Sequence, residues 1–284
     1  MKMERPKDFF RRDLTNEQYH DSDTYPHFSS SDIKEVVKNS ALHWALKQDE
    51  PKKEPTEAML LGSAVHAFIL EPQKNEFMRG LPSKMQRKAW AEMEEKAAEE
   101  GKILLKESTY DQAKKLAEVA LHTNTDLQDF IKHKNFLPEV SVFGECENTG
   151  LSIKCRPDGM LLDKKLKKAT LMDIKTTTNV SPTGFAKEIK NWNYGVQAVF
   201  YMKCCKSIGL NVDRFIFFAV CKETGICTKH TLSELYLKYA EKQMFKAMAE
   251  LLDAQISGKF STGWPDENVI HLPSYLEDEV MEEM

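Results

Sequence analysis

LSIKCRPDGMLLDKKLKKATLMDIK, residues 151–175, reads as two β-like runs joined by a lysine-rich turn. Asp158 falls in the first run, and Asp173 and Lys175 end the second. In that second run Ala169, Leu171 and Ile174, with Thr170 and Met172, make a short strand. Strand side chains alternate between faces, so Asp173 and Lys175, two apart, share one. Two carboxylates brought together by adjacent strands can hold a divalent cation through hard oxygen ligands, while a lysine beside them can orient or deprotonate a water. A lone D-x-K is common by chance and usually marks a solvated strand end. The P-D-G segment fifteen residues before Asp173 turns it into a pattern.

Outward from this stretch, composition sets the bounds. The chain has 284 residues, 41% hydrophobic and 30% charged, which fits a soluble globular protein with a full core. No run approaches the roughly 18 apolar residues of a membrane span. The N-terminus, MKMERPKDFFRRDL, is charged and lacks an apolar signal core, which predicts a cytoplasmic protein with no membrane partner. Six cysteines, at 146, 155, 204, 205, 221 and 227, match no zinc spacing and are expected to be free thiols. The net charge of −4 argues at first against a nucleic-acid partner. Five of the acids, however, fall in 276–284, LEDEVMEEM, so the rest of the chain carries +1. Phosphate binding depends on local lysines and arginines more than on the total. The tail reads as a solvated end, with a docking tail as the alternative.

A single domain is expected, with four parts. Residues 1–28 form an irregular arm, 29–133 a mainly helical region, 135–260 the core that carries the carboxylates, and 261–284 an acidic tail. Ser29, Ser30 and Ser31 precede DIKEVVKNSALHWALKQ and can cap one helix there, with phosphate contact as the other reading. AMLLGSAVHAFILEP, residues 58–72, suits a buried helix ended by Pro72. His66 on that helix is by default a hydrogen-bonded core residue; beside carboxylates it becomes a candidate ligand. Residues 73–133 show charged helical patterns broken at Gly101 and Lys102, with Lys84, Arg87 and Lys88 as candidates to touch a DNA backbone. From Asn135 the pattern turns to strands. FLPEVSVFGE, with Glu139, the run around Asp158 and the run ending at Lys175 form an expected three-stranded meander. Thr176 to Asn179 then lead into a loop containing Pro182 and Gly184, and a helix over about 191–207 places Gln197 and Tyr201 on one face. RFIFFAVC is a buried strand, GICTKHTL its hairpin partner, and a long amphipathic helix stops at Gly258.

Helix, three antiparallel strands, helix and strand, with carboxylates on the second and third strands, resembles the core of the PD-(D/E)xK nuclease superfamily. The segments GSAVHAFILEP, PEVSV, CRPDG, MDIKTT and QAVFY, in that order, are similar to motifs of the RecE-type exonucleases, the family of the exonuclease VIII nuclease domain, in its phage and prophage form. SALHWA also resembles that family's N-terminal segment, and the likeness runs over about 19–260. The implied fold is α/β (α+β), a restriction-endonuclease-like core with a central mixed β-sheet flanked by helices and an added N-terminal helical region. The resemblance implies that His66, Asp158, Asp173 and the backbone carbonyl of Ile174 bind metal, with Glu139 helping through the metal or its water. Lys175 would position the attacking water, and Gln197 and Tyr201 would hold the nucleophile, the lysine or the substrate strand. It further implies two Mg²⁺ per site, with Mn²⁺ able to substitute. The implied activity is ATP-independent 5′-to-3′ resection of linear double-stranded DNA, leaving 3′ single strands for a RecT-like annealing protein. A homo-oligomeric ring, a tetramer in the RecE case, belongs to the same expectation.

Two other readings compete. An AddB-like, iron–sulfur nuclease of other polarity needs one cysteine ahead of the nuclease core, whereas the first here is Cys146. A non-cutting DNA-binding recruiter of the annealing protein would be expected to have lost one of Asp158, Asp173 or Lys175.

Overall fold

The computed structural model describes residues 10–51, 54–83, 85–265 and 269–270. Lys84 and the acidic stretch 276–284 lie outside the described residues, as do positions 1–9 of the arm. The arm contains a two-residue strand, β1 (Phe10–Arg11), and a short helix, α1 (Asn16–His20), closed by a Thr15/Gln18 capping box. The helix expected over 32–48 is two: α2 (Ser30–Lys38) and α3 (Ala41–Gln48). Asn39 leaves helical geometry at φ −124°, ψ −89°, and Ser40 restarts the helix by accepting the His43 N–H. Ser29 stands at the N-cap of α2, its backbone N–H and hydroxyl both donating to Asp32. α4 (Glu57–Leu70) follows, and Pro72 opens the 3-10 turn that ends it. β2 (Phe77–Arg79), α5 (Arg87–Glu99), β3 (Ile103–Leu105), α6 (Glu107–Thr123) and α7 (Thr125–Lys132) complete the helical part. Gly101, at φ 64°, supplies the left-handed turn between α5 and β3.

The expected three-stranded meander is five strands shared between two sheets. They are β4 (Phe136–Pro138), β5 (Ser141–Glu145), β6 (Ser152–Cys155), β7 (Gly159–Asp163) and β8 (Lys168–Thr177). Asp158 therefore lies in the bend between β6 and β7 rather than inside a strand. The segment expected as a loop after Asn179 holds a helix, α8 (Pro182–Asn191). Pro182 takes its first turn, where no backbone donor is missed, and Ser181 caps it. α9 (Tyr194–Ser207), β9 (Asn211–Cys221), β10 (Cys227–His230) and α10 (Glu234–Ser257) follow, and Gly258 ends α10 at φ 67°.

The main sheet is mixed, in the order β10-β9-β8-β7-β4, with β8 and β9 parallel and the other neighbours antiparallel. A smaller sheet runs β1-β5-β6. Both faces of the main sheet are covered, so β9 is a continuous buried apolar run from Phe215 to Cys221. On one face Ala169, Leu171, Phe215 and Phe217 pack with α2, α9 and α10. On the other, Met172, Ile174, Ile216 and Phe218 pack with α4, α6 and α7. Each fully buried phenylalanine in these layers contributes roughly 1.5–3 kcal/mol. The six cysteines are free and buried, all but Cys221 within these cores. Among the described residues no helix is long and apolar enough to cross a membrane.

Candidate active site

The main sheet places three acidic residues in a row. Pro138, Gly159 and Met172 are paired across β4, β7 and β8, so one step further along these strands come Glu139, Asp158 and Asp173. The Glu139 N–H donates to the Asp158 carbonyl at 3.2 Å, which extends the pairing by that step. β8 then runs on beside β9 to Thr177 and carries Lys175 past the row. Gly159 is what lets the three strands close here. A Cβ at that position would stand 2.6 Å from Phe136 Cε2 and 3.0 Å from Met172 Cγ. Glu139 sits at φ 48°, a left-handed conformation uncommon for a side-chain-bearing residue, where the chain leaves one sheet for the other.

Helices on both sides supply the remaining groups. From α9, Gln197 Nε2 donates to Asp173 Oδ1 at 2.6 Å. Lys175 Nζ stands 2.5 Å from Asp173 Oδ2. Asp158 Oδ2 accepts the Ile174 N–H at 2.6 Å and lies 3.2 Å from His66 Nδ1 on α4. The N–H and carbonyl of a strand residue point to the same side, so the Ile174 carbonyl faces the same gap as Asp158. Tyr201 follows one helical turn along α9 from Gln197. It is buried beside the Ser30 hydroxyl and the Phe215 ring rather than against Lys175. Arg87 and Lys88 begin α5, which packs on β3.

Three groups missing from the sequence reading stand at the same place. Tyr194 carries the Lys175 ammonium over its ring, 4.8 Å from the centroid, and Lys34 of α2 lies 5.7 Å from the same centroid. Glu71, at the C-terminal end of α4, adds its charge to Glu139 and is itself paired with Lys74 at 2.6 Å. Tyr194 was within reach of the sequence, since 194, 197 and 201 share a helix face at i, i+3 and i+7. Glu71 closes the same motif that contains His66. Nothing in the spacing of α2 distinguishes Lys34 from a surface lysine.

The electrostatics are those of acids crowded together out of water. Burial, and then the charge of Asp173, push Asp158 up to about 6. Burial, and then Asp158, push Glu139 up to about 8. Burial pulls the Lys175 ammonium down, but Asp173 and Asp158 outweigh it and hold it above its ordinary value. Lys34 is pushed down to about 8 by burial and by the charge of Lys175. Asp173 is 1% exposed, and its Oδ2 accepts no hydrogen bond of normal geometry despite the nearby ammonium. A buried carboxylate oxygen short of donors, facing a second carboxylate whose ionisation is suppressed, fits a divalent cation between them. Among the described residues no three His, Cys, Asp or Glu side chains enclose an ion by themselves.

Residues 29–259 match the family described as a PDDEXK-like domain of unknown function (DUF3799). No curated protein matches the sequence. Among solved structures, a Eubacterium rectale protein named "Putative exonuclease" superposes with a TM-score of 0.59 at 17% identity, over 94% of this chain and 97% of that one. A second, SSO0001, covers 76% of this chain and 85% of its own at 13% identity, with a TM-score of 0.26 that is too low to bear on the fold.

Proposed function

We propose that this chain, which belongs to the PDDEXK-like family, is a metal-dependent nuclease, and more narrowly an ATP-independent 5′-to-3′ exonuclease on linear double-stranded DNA. The observation that carries the nuclease reading is the row Glu139, Asp158 and Asp173 on three neighbouring strands, with the Lys175 ammonium 2.5 Å from the third and His66 3.2 Å from the second. The donor set is hard oxygen plus one imidazole, which suits Mg²⁺, with Mn²⁺ able to substitute. Asp158, Asp173 and the Ile174 carbonyl would hold the metal, with His66 and Glu139 as flanking ligands. Two divalent cations bound there would activate a water and neutralise charge developing on the phosphoryl and leaving oxygens.

The protein's own groups do the rest. Gln197 fixes the rotamer of Asp173 by donating to one oxygen, which leaves the other turned towards Lys175. Lys175, kept charged by the two aspartates, orients the water and donates to the phosphate. Hydrolysis forms one P–O bond from the water and breaks the P–O bond to the sugar, whose oxygen leaves with a proton. Tyr201, seated against Ser30, braces α9 on α2 and so positions Gln197 from behind.

The finer reading rests on the likeness of the GSAVHAFILEP, CRPDG, MDIKTT and QAVFY segments to RecE-type exonucleases. On it, resection leaves 3′ tails for a RecT-like annealing protein, and copies of the chain form a ring, a tetramer, around the duplex. The test is digestion of linear duplex DNA labelled at either end of one strand, with Mg²⁺ or chelator and no ATP, beside a closed circle. Early release of the 5′ label, retention of the 3′ label and an intact circle are expected. A cut circle, or the 3′ label released first, removes the polarity and ring but keeps the nuclease. No product with any divalent metal removes the nuclease.

A further inference from the structure

Lys34 is a cation that the fold holds where a folded chain by itself has little use for one. It sits on the face of α2 that meets α9. Ser30, one turn earlier, neighbours Tyr201, while Lys34 neighbours Tyr194, so the α2 pair meets the α9 face bearing Tyr194, Gln197 and Tyr201. The carboxylate whose charge reaches Lys34 is Asp173, and Asp173 is already engaged by Lys175 and Gln197. Two ammonium groups thus share one aromatic ring and one carboxylate. Lys34 is half-buried, and cation–π contact with Tyr194 returns only part of the hydration that its ammonium gives up. An ammonium placed beside a second one on a shared ring suits a site prepared for an anion that arrives later.

We propose that Lys34 is a substrate-contacting residue: its ammonium, held beside Lys175 on the Tyr194 ring, takes a backbone phosphate of the nucleic-acid strand at or next to the bond being hydrolysed. This rests on the nuclease reading above and adds to it a residue from the N-terminal helical region. Tyr194 is then the positioning residue, a spacer that keeps the two like charges apart without neutralising either.

The experiment pairs stability with binding for wild type, Lys34→Met, Lys34→Gln and Lys34→Arg. Affinity for a labelled linear duplex is read by anisotropy in Ca²⁺ across a salt series, and thermal midpoints are read without DNA. Both neutral variants are expected to melt at or above the wild-type temperature yet bind about tenfold more weakly. Their slope of log K on log salt should fall by about one contact, with Lys34→Arg restoring most of both. If the neutral variants melt lower while their salt slope matches wild type, Lys34 is a structural residue and the proposal fails. If wild type cuts DNA and the neutral variants bind and cut as it does, Lys34 alone is excluded. If wild type neither binds nor cuts, the nuclease reading falls first and this proposal with it.

Discussion

Asp173 is the residue on which the others converge: one oxygen goes to Gln197, the other to Lys175, and the side chain is buried. Lys175→Ala removes both the charged donor of the proposed reaction and the neutralising partner of a buried carboxylate. Cleavage should fall by at least about 10²–10³-fold, the loss typical of a preorganised electrostatic donor. Breaking a buried pair also costs on the order of 3 kcal/mol. From sequence, Asp173 and Lys175 are simply two residues on one face, and a variant there is expected to fold unchanged. The 2.5 Å contact implies instead a lower thermal midpoint in chelator, partly restored by Mg²⁺. Wild-type-like turnover in Lys175→Ala would sink the mechanism. His66 touches Asp158 rather than Asp173, so His66→Ala should weaken metal use and leave Lys175 in place. Activity titrated against Mn²⁺ should need several-fold more metal and then recover. An unchanged metal curve would take His66 out of the site.

At the scale of elements, the row of carboxylates depends on how closely β4, β7 and β8 approach. Gly159→Ala places a methyl group between the Phe136 ring and the Met172 side chain, at distances that no ordinary contact allows. Phe136 is backed by Phe130, with ring centroids 6.0 Å apart, so it has little room to yield. Overpacking of this kind costs typically 1–3 kcal/mol. Here it should also part Glu139 from Asp158 and lower activity further than the melting point alone explains. A variant with wild-type activity at reduced stability would show that the row tolerates a wider strand gap. The same place marks the limit of what was legible in the sequence. Alternation along residues 169–175 gave Asp173 and Lys175 their common face, and the i, i+4 spacing aimed Gln197 and Tyr201 together. The helix through His66, the β9–β10 hairpin and the long final helix follow equally from local pattern. What local pattern does not encode is where one strand becomes two. FLPEVSVFGE reads as one extended run, yet it breaks at Glu139 because its halves pair with different partners, β7 and β6. Lys34 and Tyr194 meet only because α2 packs on α9, a long-range contact with no periodic signature.

Taken as a whole molecule, the fold brings several acids together in a place where their charges repel, and that repulsion has a global consequence. In the metal-free protein Asp158 is raised from 3.8 to about 6 and Glu139 from 4.5 to about 8, each by burial first and a neighbouring carboxylate second. A carboxyl whose folded value lies above its unfolded value favours the native state while it stays protonated. That contribution is complete below the unfolded value and is lost as pH rises through the folded one, at about 1.4 kcal/mol for each unit separating them. The metal-free chain should therefore lose stability progressively between about pH 4 and pH 8, with the Asp158 share going first and the Glu139 share last. A divalent cation reverses the sign of the local charge problem and binds the ionised native state alone, so its stabilisation should grow across the same window. Thermal midpoints measured from pH 5 to pH 8.5, with chelator and with Mg²⁺, are expected to lie close together at the acid end and to diverge towards the alkaline end. Parallel curves would mean that these carboxylates are not the groups that receive the metal. In Asp158→Asn, where the central charge is gone and Glu139 has lost its strongest like-charged neighbour, both the alkaline loss and the Mg²⁺ shift should shrink together.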